Sequence, residues 1–176
     1  MNQASAASQH TLRKNNVTIT GNLLSDKTIV FLHGFGTEQT AWSKVTPAFS
    51  TDYRLVLIDN TGAGNADPEA FVESRYMSLD KYADDVLDIC DTLNLNNAIL
   101  VGHSVGGMIG ILAAIRSPEY FSKVILLGAT PRYLNDKDYI GGLTNADIRD
   151  IYNGVQTDPL KWAINFSATA MRNPEM

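Results

Sequence analysis

The sequence contains very little cysteine and no long apolar segment. One cysteine among 176 residues excludes an internal disulfide and a zinc site built from several cysteines. The apolar runs are far shorter than the roughly 20 residues that a membrane helix requires. The first ten residues lack the cationic start and apolar core of a secretory signal. We therefore expect a cytoplasmic protein with no membrane association.

Basic residues are also sparse. Fourteen Lys and Arg stand against nineteen Asp and Glu, giving a formal net charge of -5, and only Arg13 and Lys14 are adjacent. This distribution provides no basic patch for nucleic acid. The composition, 44% apolar and 19% charged, is typical of a globular protein and excludes wholesale disorder. Residues 1–14 are small and polar, and we expect them to form a flexible tail.

Five short apolar segments are predicted to be strands. Val17 to Thr20 alternates apolar and polar residues, which is typical of an edge strand. The other four runs are almost continuously apolar, which favours parallel strands covered on both faces. These four runs are Thr28 to Leu32, Arg54 to Ile58, Ala98 to Val101 and Lys123 to Leu127.

Helical patterns separate the predicted strands. Residues 79–93 carry an apolar stripe that includes Cys90, with Ser78 as a suitable N-cap and the aspartates on a solvated face. The segment from Val105 to Ile115 is apolar almost all round, which predicts a central buried helix. This alternation predicts an α/β fold, with a mostly parallel sheet and helices on both faces, over residues 15–130. Residues 131–176 have no strand-like run and only two helical patterns.

The strongest chemical signal is a G-x-S-x-G motif at residues 102–106. It lies between a predicted strand and a predicted helix, so Ser104 occupies the strand-to-helix turn. Small residues on either side allow the sharp bend that exposes a nucleophilic serine. The N–H of Val105 then belongs to the start of the helix, where it can stabilise a developing oxyanion. The alternative is an ordinary glycine-rich turn with a structural serine.

A second motif, His33-Gly34-Phe35-Gly36, follows the strand that ends at Leu32. Sites in open α/β sheets collect at the carboxyl ends of the strands. The N–H of Phe35 is therefore a candidate for the second oxyanion donor. A plain glycine turn carrying a core phenylalanine is the alternative.

The sequence resembles the α/β-hydrolase fold family, and within it the subgroup of the bacterial stress-response sigma-factor regulatory hydrolase and the plant strigolactone and karrikin receptors. The resemblance extends from about residue 12 to residue 171. It is carried by HGFG at 33–36, Asp59 with TGAG at 61–64, GHSVGGMIG at 102–110, YLND at 133–136 and Trp162-Ala163. The resemblance implies a Ser104 nucleophile, oxyanion donors at Phe35 and Val105, and a helical lid that begins within residues 131–176.

The chain departs from the family pattern in its catalytic acid and base. Triad members in this fold follow the order Ser, Asp or Glu, His along the chain, and no histidine follows Ser104. We expect His103 to be a structural hydrogen-bonder, His33 to brace the oxyanion turn and His10 to lie in the tail. Asp136 is a weak alternative for the acid. The chain is therefore expected to be an incomplete part of a hydrolase, with a short inactive protein as the alternative.

These observations favour a serine hydrolase that cleaves a small apolar ester or lactone through an acyl-enzyme, without metal or organic cofactor. Tyr133, Trp162 and Phe166 are candidates for the substrate pocket, although such aromatic residues equally serve packing. A ligand-sensing module that acts through a signalling protein partner is the main alternative. Perhydrolase or lyase chemistry would use the same serine, whereas relatives with dehalogenase or epoxide-hydrolase chemistry carry aspartate at this position.

Overall fold

The computed structural model of the chain describes residues 6–170. These residues form two compact units, one ending at Ala129 and the other beginning at Thr130. Within residues 6–170, no helix has both the length and the apolar character needed to cross a membrane.

A five-stranded sheet forms the centre of the first unit. Its strands are β1 (Thr18–Gly21), β2 (Thr28–Leu32), β3 (Arg54–Ile58), β4 (Ala98–His103) and β5 (Phe121–Leu127). They lie in the order β1-β3-β2-β4-β5, and only β1 is antiparallel to its neighbour. The mostly parallel sheet is confirmed, and the bounds of β2 and β3 match the predicted runs.

The three helices of this unit are α1 (Ala6–Lys14), α2 (Leu79–Thr92) and α3 (Val105–Arg116). Side chains from all three pack with Val30, Val56 and Leu100 into one apolar cluster. The alternate strand residues Phe31, Leu57 and Val101 form a second cluster with Trp42. Trp42 belongs to a short 3-10 helix, Gln39–Trp42. In the described part of this unit, Trp42 is the buried member of this second cluster that comes from outside the strands.

The prediction of a flexible tail over residues 1–14 is wrong for Ala6–Lys14, which form the helix α1. Leu12 packs against the main apolar cluster, and the Lys14 Nζ lies 2.6 Å from an Asp85 carboxylate oxygen. Both contacts involve residues remote in the chain, so the local polarity of this segment gave no sign of them. Residues 1–5 lie outside the described residues.

The prediction that the aspartates of α2 form a solvated face is wrong for Asp85, which is buried. Its exposed fraction is only 2%. One carboxylate oxygen lies within 2.6 Å and 3.2 Å of the Lys14 and Lys81 ammonium groups. The other oxygen accepts hydrogen bonds of 2.8 Å from the hydroxyls of Thr61 and Tyr76. This buried charge is compensated on both oxygens, and it joins α1, α2 and the 61–64 turn.

The predicted N-cap of α2 is confirmed, because the Ser78 side chain accepts a hydrogen bond from the Asp80 N–H. The predicted burial of β5 and α3 is only partly correct. Ile125 and Leu127 are each 44% exposed, and Ile115 at the end of α3 is 71% exposed. In the described residues β5 pairs with β4 alone, so one side of its apolar run has no neighbouring strand.

The second unit contains two helices, α4 (Asn145–Thr157) and α5 (Pro159–Ala170). A capping box begins α4: the Thr144 hydroxyl accepts a hydrogen bond from the Asp147 N–H, and the Asp147 carboxylate accepts one from the Thr144 N–H. Trp162 on α5 packs closely against Gly154 on α4, where an added Cβ would lie 2.7 Å from the indole Cδ1. Both helices fall on the predicted helical patterns.

Replacing Asp85 with asparagine should reduce the free energy of unfolding by about 3 kcal/mol, because it removes the partner of two partly buried ammonium groups. Urea unfolding followed by circular dichroism measures the change. Asp88→Asn is the matched control on the same helix, since Asp88 is exposed and should change stability by less than about 0.5 kcal/mol. Equal effects of the two substitutions would contradict a structural role for the buried carboxylate.

Candidate active site

Ser104 lies in the sharp turn between β4 and α3. Its backbone has φ 53° and ψ −123°, a conformation that non-glycine residues rarely adopt. Its N–H donates a 2.8 Å hydrogen bond to the Leu127 carbonyl at the end of β5, and its carbonyl accepts a 3.0 Å hydrogen bond from the Gly107 N–H. The strained residue is therefore fixed on both sides by the neighbouring strand and helix.

Glycines on both sides of Ser104 make this turn possible. A Cβ on Gly102 would lie 2.5 Å from the Gly107 Cα, and a Cβ on Gly106 would lie 2.5 Å from the His33 carbonyl oxygen. Real side chains do not tolerate such distances to backbone atoms. The start of α3 therefore packs directly against the ends of β4 and β2. The predicted need for small residues at both positions has this physical basis.

The 33–36 turn lies directly beside Ser104. A Cβ on Gly34 would come within 3.2 Å of the Ser104 Cβ. Phe35 is 58% exposed, and Val105 is the first residue of α3, where the N–H groups have no acceptor within the helix. The two predicted donors, Phe35 and Val105, therefore belong to segments that meet at the serine. Their role as an oxyanion hole stays a prediction.

His33 is 1% exposed and braces this turn. Its Nε2 accepts a 2.9 Å hydrogen bond from the Asn60 N–H. Its Nδ1 lies 2.8 Å from the Gly34 carbonyl oxygen, which can only accept, so Nδ1 carries the proton and the ring is neutral. The Asn60 side chain also donates to the His33 carbonyl at 3.3 Å. Both ring nitrogens are thus engaged in holding the ends of β2 and β3 together.

His103 is exposed, and its imidazole lies against Gly34, where an added Cβ would be 2.6 Å from Nδ1. Among the described residues this ring has no side-chain hydrogen bond, so the predicted structural hydrogen bond is replaced by packing. Partial desolvation of the ring, together with the nearby His33, lowers the pKa of His103 below its ordinary value. The ring is therefore mostly neutral at pH 7.

Asp59, immediately after β3, organises the loops behind the site. It is completely buried, and its carboxylate accepts hydrogen bonds from the Gln39 N–H at 2.8 Å, the Asn16 amide at 2.8 Å and the Asn65 N–H at 3.0 Å. Burial alone would raise the pKa of Asp59, but these hydrogen bonds outweigh it and hold the pKa below 3.8. The carboxylate therefore stays ionised at neutral pH.

The remaining predicted residues lie in the second unit. The rings of Trp162 and Phe166 stack with centroids 5.1 Å apart, and both line a groove of about 580 Å³. The Tyr133 carbonyl accepts a 3.0 Å hydrogen bond from the Leu143 N–H. The Asp136 carboxylate pairs with the Arg132 guanidinium at 3.0 Å. A substrate pocket formed by the three aromatic residues stays a prediction, as does any catalytic role for Asp136.

Sequence reasoning missed two residues that support the site, Thr37 and Asn60. The Thr37 hydroxyl donates a 2.9 Å hydrogen bond to the Gly34 carbonyl, and Asn60 holds His33. Their position was the available signal: each lies just beyond the carboxyl end of a parallel strand, where sites collect. No group of three metal-ligating side chains comes together within residues 6–170.

The lowered pKa of Asp59 predicts a loss of stability in acid. A carboxylate whose pKa is lower in the folded state stabilises the fold above its unfolded pKa, near 3.8, and this contribution disappears as the pH falls through the folded value. Asp59→Asn should therefore be less stable than the wild type at pH 7, with the difference shrinking toward pH 2. Urea unfolding across this range measures it.

Asp52→Asn, at an exposed position, is the control and should keep the pH dependence of the wild type. If the stability difference between Asp59→Asn and the wild type stayed constant from pH 7 to pH 2, the lowered pKa of Asp59 would be contradicted.

Comparison with known proteins agrees with this geometry. Residues 27–158 match the alpha/beta hydrolase fold family. Strigolactone esterase D14 of Arabidopsis thaliana is 44% identical over 165 residues, which cover 93% of this chain and 61% of that protein. The Karrikin insensitive 2 receptor CA of Petunia hybrida is 40% identical over 152 residues, 86% of this chain and 56% of that protein.

Among solved structures, a hydrolase from Oleispira antarctica superposes with a TM-score of 0.84 at 30% identity, covering 92% of this chain and 59% of that one. The chain thus spans about three fifths of the length of these relatives. The family match covers most of the chain and coincides with the strand–turn–helix that presents Ser104. The chain therefore belongs to the α/β-hydrolase fold family, as its sequence predicted.

Proposed function

We propose that the protein is a serine hydrolase, with Ser104 as the nucleophile, acting on a small apolar ester or lactone. One observation carries the proposal: Ser104 is held at φ 53° at the junction of β4 and α3, beside the 33–36 turn. This conformation has a cost of roughly 1–3 kcal/mol and persists only where the surrounding structure imposes it. A nucleophile presented on such a bend explains why the strain is retained.

The proposed reaction is acyl transfer. The Ser104 Oγ attacks the carbonyl carbon, and the N–H groups of Phe35 and Val105 stabilise the tetrahedral oxyanion. A general base takes the Ser104 proton and donates it to the alkoxide oxygen as the carbonyl C–O bond breaks. The alcohol then departs from an ester, or stays attached to the acyl group of an opened lactone, and an acyl-enzyme remains. Water then attacks the acyl-enzyme, which releases the acid and restores the serine. The name of the relative with 44% identity, a strigolactone esterase, supports a lactone or ester substrate.

The proposal requires a general base that takes the Ser104 proton. His33 already uses both ring nitrogens, and His103 packs on Gly34 directly next to Ser104 in the chain. We propose that the base and its orienting carboxylate belong to polypeptide corresponding to the part of the relatives that this chain does not span.

The test is hydrolysis of p-nitrophenyl acetate by the longest protein that the gene encodes. Ser104→Ala should reduce kcat at least about 1,000-fold, because it removes the attacking oxygen. Ser43→Ala, at an exposed serine, is the matched control and should leave kcat unchanged. The 176-residue chain alone should hydrolyse the ester near the background rate, since without the base most of the acceleration is lost.

Undiminished hydrolysis by Ser104→Ala would overturn the proposal. A normal rate for the 176-residue chain, abolished by His103→Ala, would instead identify His103 as the base.

A ligand-sensing function is the second candidate, favoured by the 40% identity to a karrikin receptor. In that case a small ligand occupies the site, and the output passes to a signalling protein partner with little turnover. The Ser104→Ala variant distinguishes the two functions. Signalling that persists in this variant after hydrolysis is lost indicates that binding is sufficient, whereas loss of both indicates that turnover is required.

A further inference from the structure

The Gly34 carbonyl oxygen is the acceptor of an unusual number of hydrogen bonds. The protonated Nδ1 of His33 donates to it at 2.8 Å, the Thr37 hydroxyl at 2.9 Å and the Thr37 N–H at 3.4 Å. Three donors thus converge on one oxygen. Two of them come from Thr37, a residue to which the proposed reaction assigns no role.

The orientation of this carbonyl determines that of the Phe35 N–H. The Gly34 C=O and the Phe35 N–H belong to the same peptide group, which is planar, and in the trans form they point in opposite directions; the described residues contain no cis peptide bond. Donors that hold the carbonyl on one side therefore hold the N–H on the other. Rotation of this peptide would break all three hydrogen bonds together.

The opposite side of Gly34 is also restricted. Its Cα packs against the His103 imidazole and the Ser104 Cβ, where an added Cβ would come within 2.6 Å and 3.2 Å. Glycine otherwise allows wide backbone rotation, so a glycine beside a proposed oxyanion donor requires external support. His33 and Thr37 provide that support.

We infer that Thr37 is a positioning residue for the oxyanion hole, holding the Gly34–Phe35 peptide so that the Phe35 N–H faces the oxyanion formed on Ser104. This inference rests on the proposed function. Thr37 does not touch the reacting atoms; it acts through the peptide. Loss of its hydroxyl leaves the His33 donor in place. The expected effect is therefore that of one hydrogen bond, about five-fold, well below the roughly 100-fold loss caused by removing an oxyanion donor.

The test compares Thr37→Val and Thr37→Ala in the longest protein that the gene encodes. Both should lower kcat for p-nitrophenyl acetate about five-fold at unchanged KM, because the hydrogen bond matters most once negative charge develops. Both should weaken inhibition by phenylboronic acid, which forms an anionic tetrahedral adduct with a serine Oγ, by the same factor. Thr37→Ser, which keeps the hydroxyl, should restore both quantities.

Thr40→Val is the matched control, since Thr40 is exposed, lies in the adjacent 3-10 helix Gln39–Trp42, and donates its hydroxyl hydrogen to the Glu38 carboxylate. It should change neither kcat nor boronate affinity. Unchanged kcat and boronate affinity in both Thr37→Val and Thr37→Ala would overturn the inference, as would a loss that Thr37→Ser fails to restore. Undiminished hydrolysis by Ser104→Ala would instead overturn the proposed function, so the two failures are distinguishable.

Discussion

The close approach of α3 to the ends of β2 and β4 is the constraint on which the whole site depends. Gly106 allows the helix to contact the backbone of β2, and Gly102 allows the chain to fold back on Gly107. Ser104, between them, must then adopt a positive φ, which opposes folding by a few kcal/mol at most. The packing of α3 on the sheet and the hydrogen bond from the Ser104 N–H to Leu127 offset this strain.

Two buried carboxylates stabilise the loops that surround this junction. Asp59 accepts three hydrogen bonds, one of them from the Asn65 N–H just after the 61–64 turn, and Asp85 accepts one from the Thr61 hydroxyl at its start. Burying a charge is unfavourable unless its hydrogen-bonding capacity is satisfied, and both carboxylates meet that condition. The turn is therefore fixed at both ends, and it immediately follows Asn60, the residue that positions His33.

The sequence predicts those features of the fold that depend on neighbouring residues. Continuous apolar runs identified β2 and β3, and Ser78 identified the start of α2, because both signals are local. It does not predict α1, whose Lys14 pairs with a carboxylate 71 residues away. Likewise, helical spacing places Asp85 nearest the apolar stripe of α2, but its burial as a charge depends on Lys14 and Thr61, which are remote in the chain. The serine turn was predictable because its sterics require small residues at fixed spacing, whereas the hydrogen bonds that support it involve backbone atoms that every sequence has.

The two histidines near Ser104, His33 and His103, support the turn at Gly34 and do not supply charge to the site. If His33 accepted a proton, its Nε2 could no longer accept the hydrogen bond from the Asn60 N–H, and the link between the ends of β2 and β3 would break. His103, with its lowered pKa, stays neutral at pH 7 and places no positive charge beside the serine. Both rings therefore shape the turn at Gly34 while leaving the electrostatics of the proposed oxyanion to the backbone N–H groups. His33 is consequently not the proton acceptor of the proposed reaction, because gaining a proton on Nε2 would break its hydrogen bond from the Asn60 N–H.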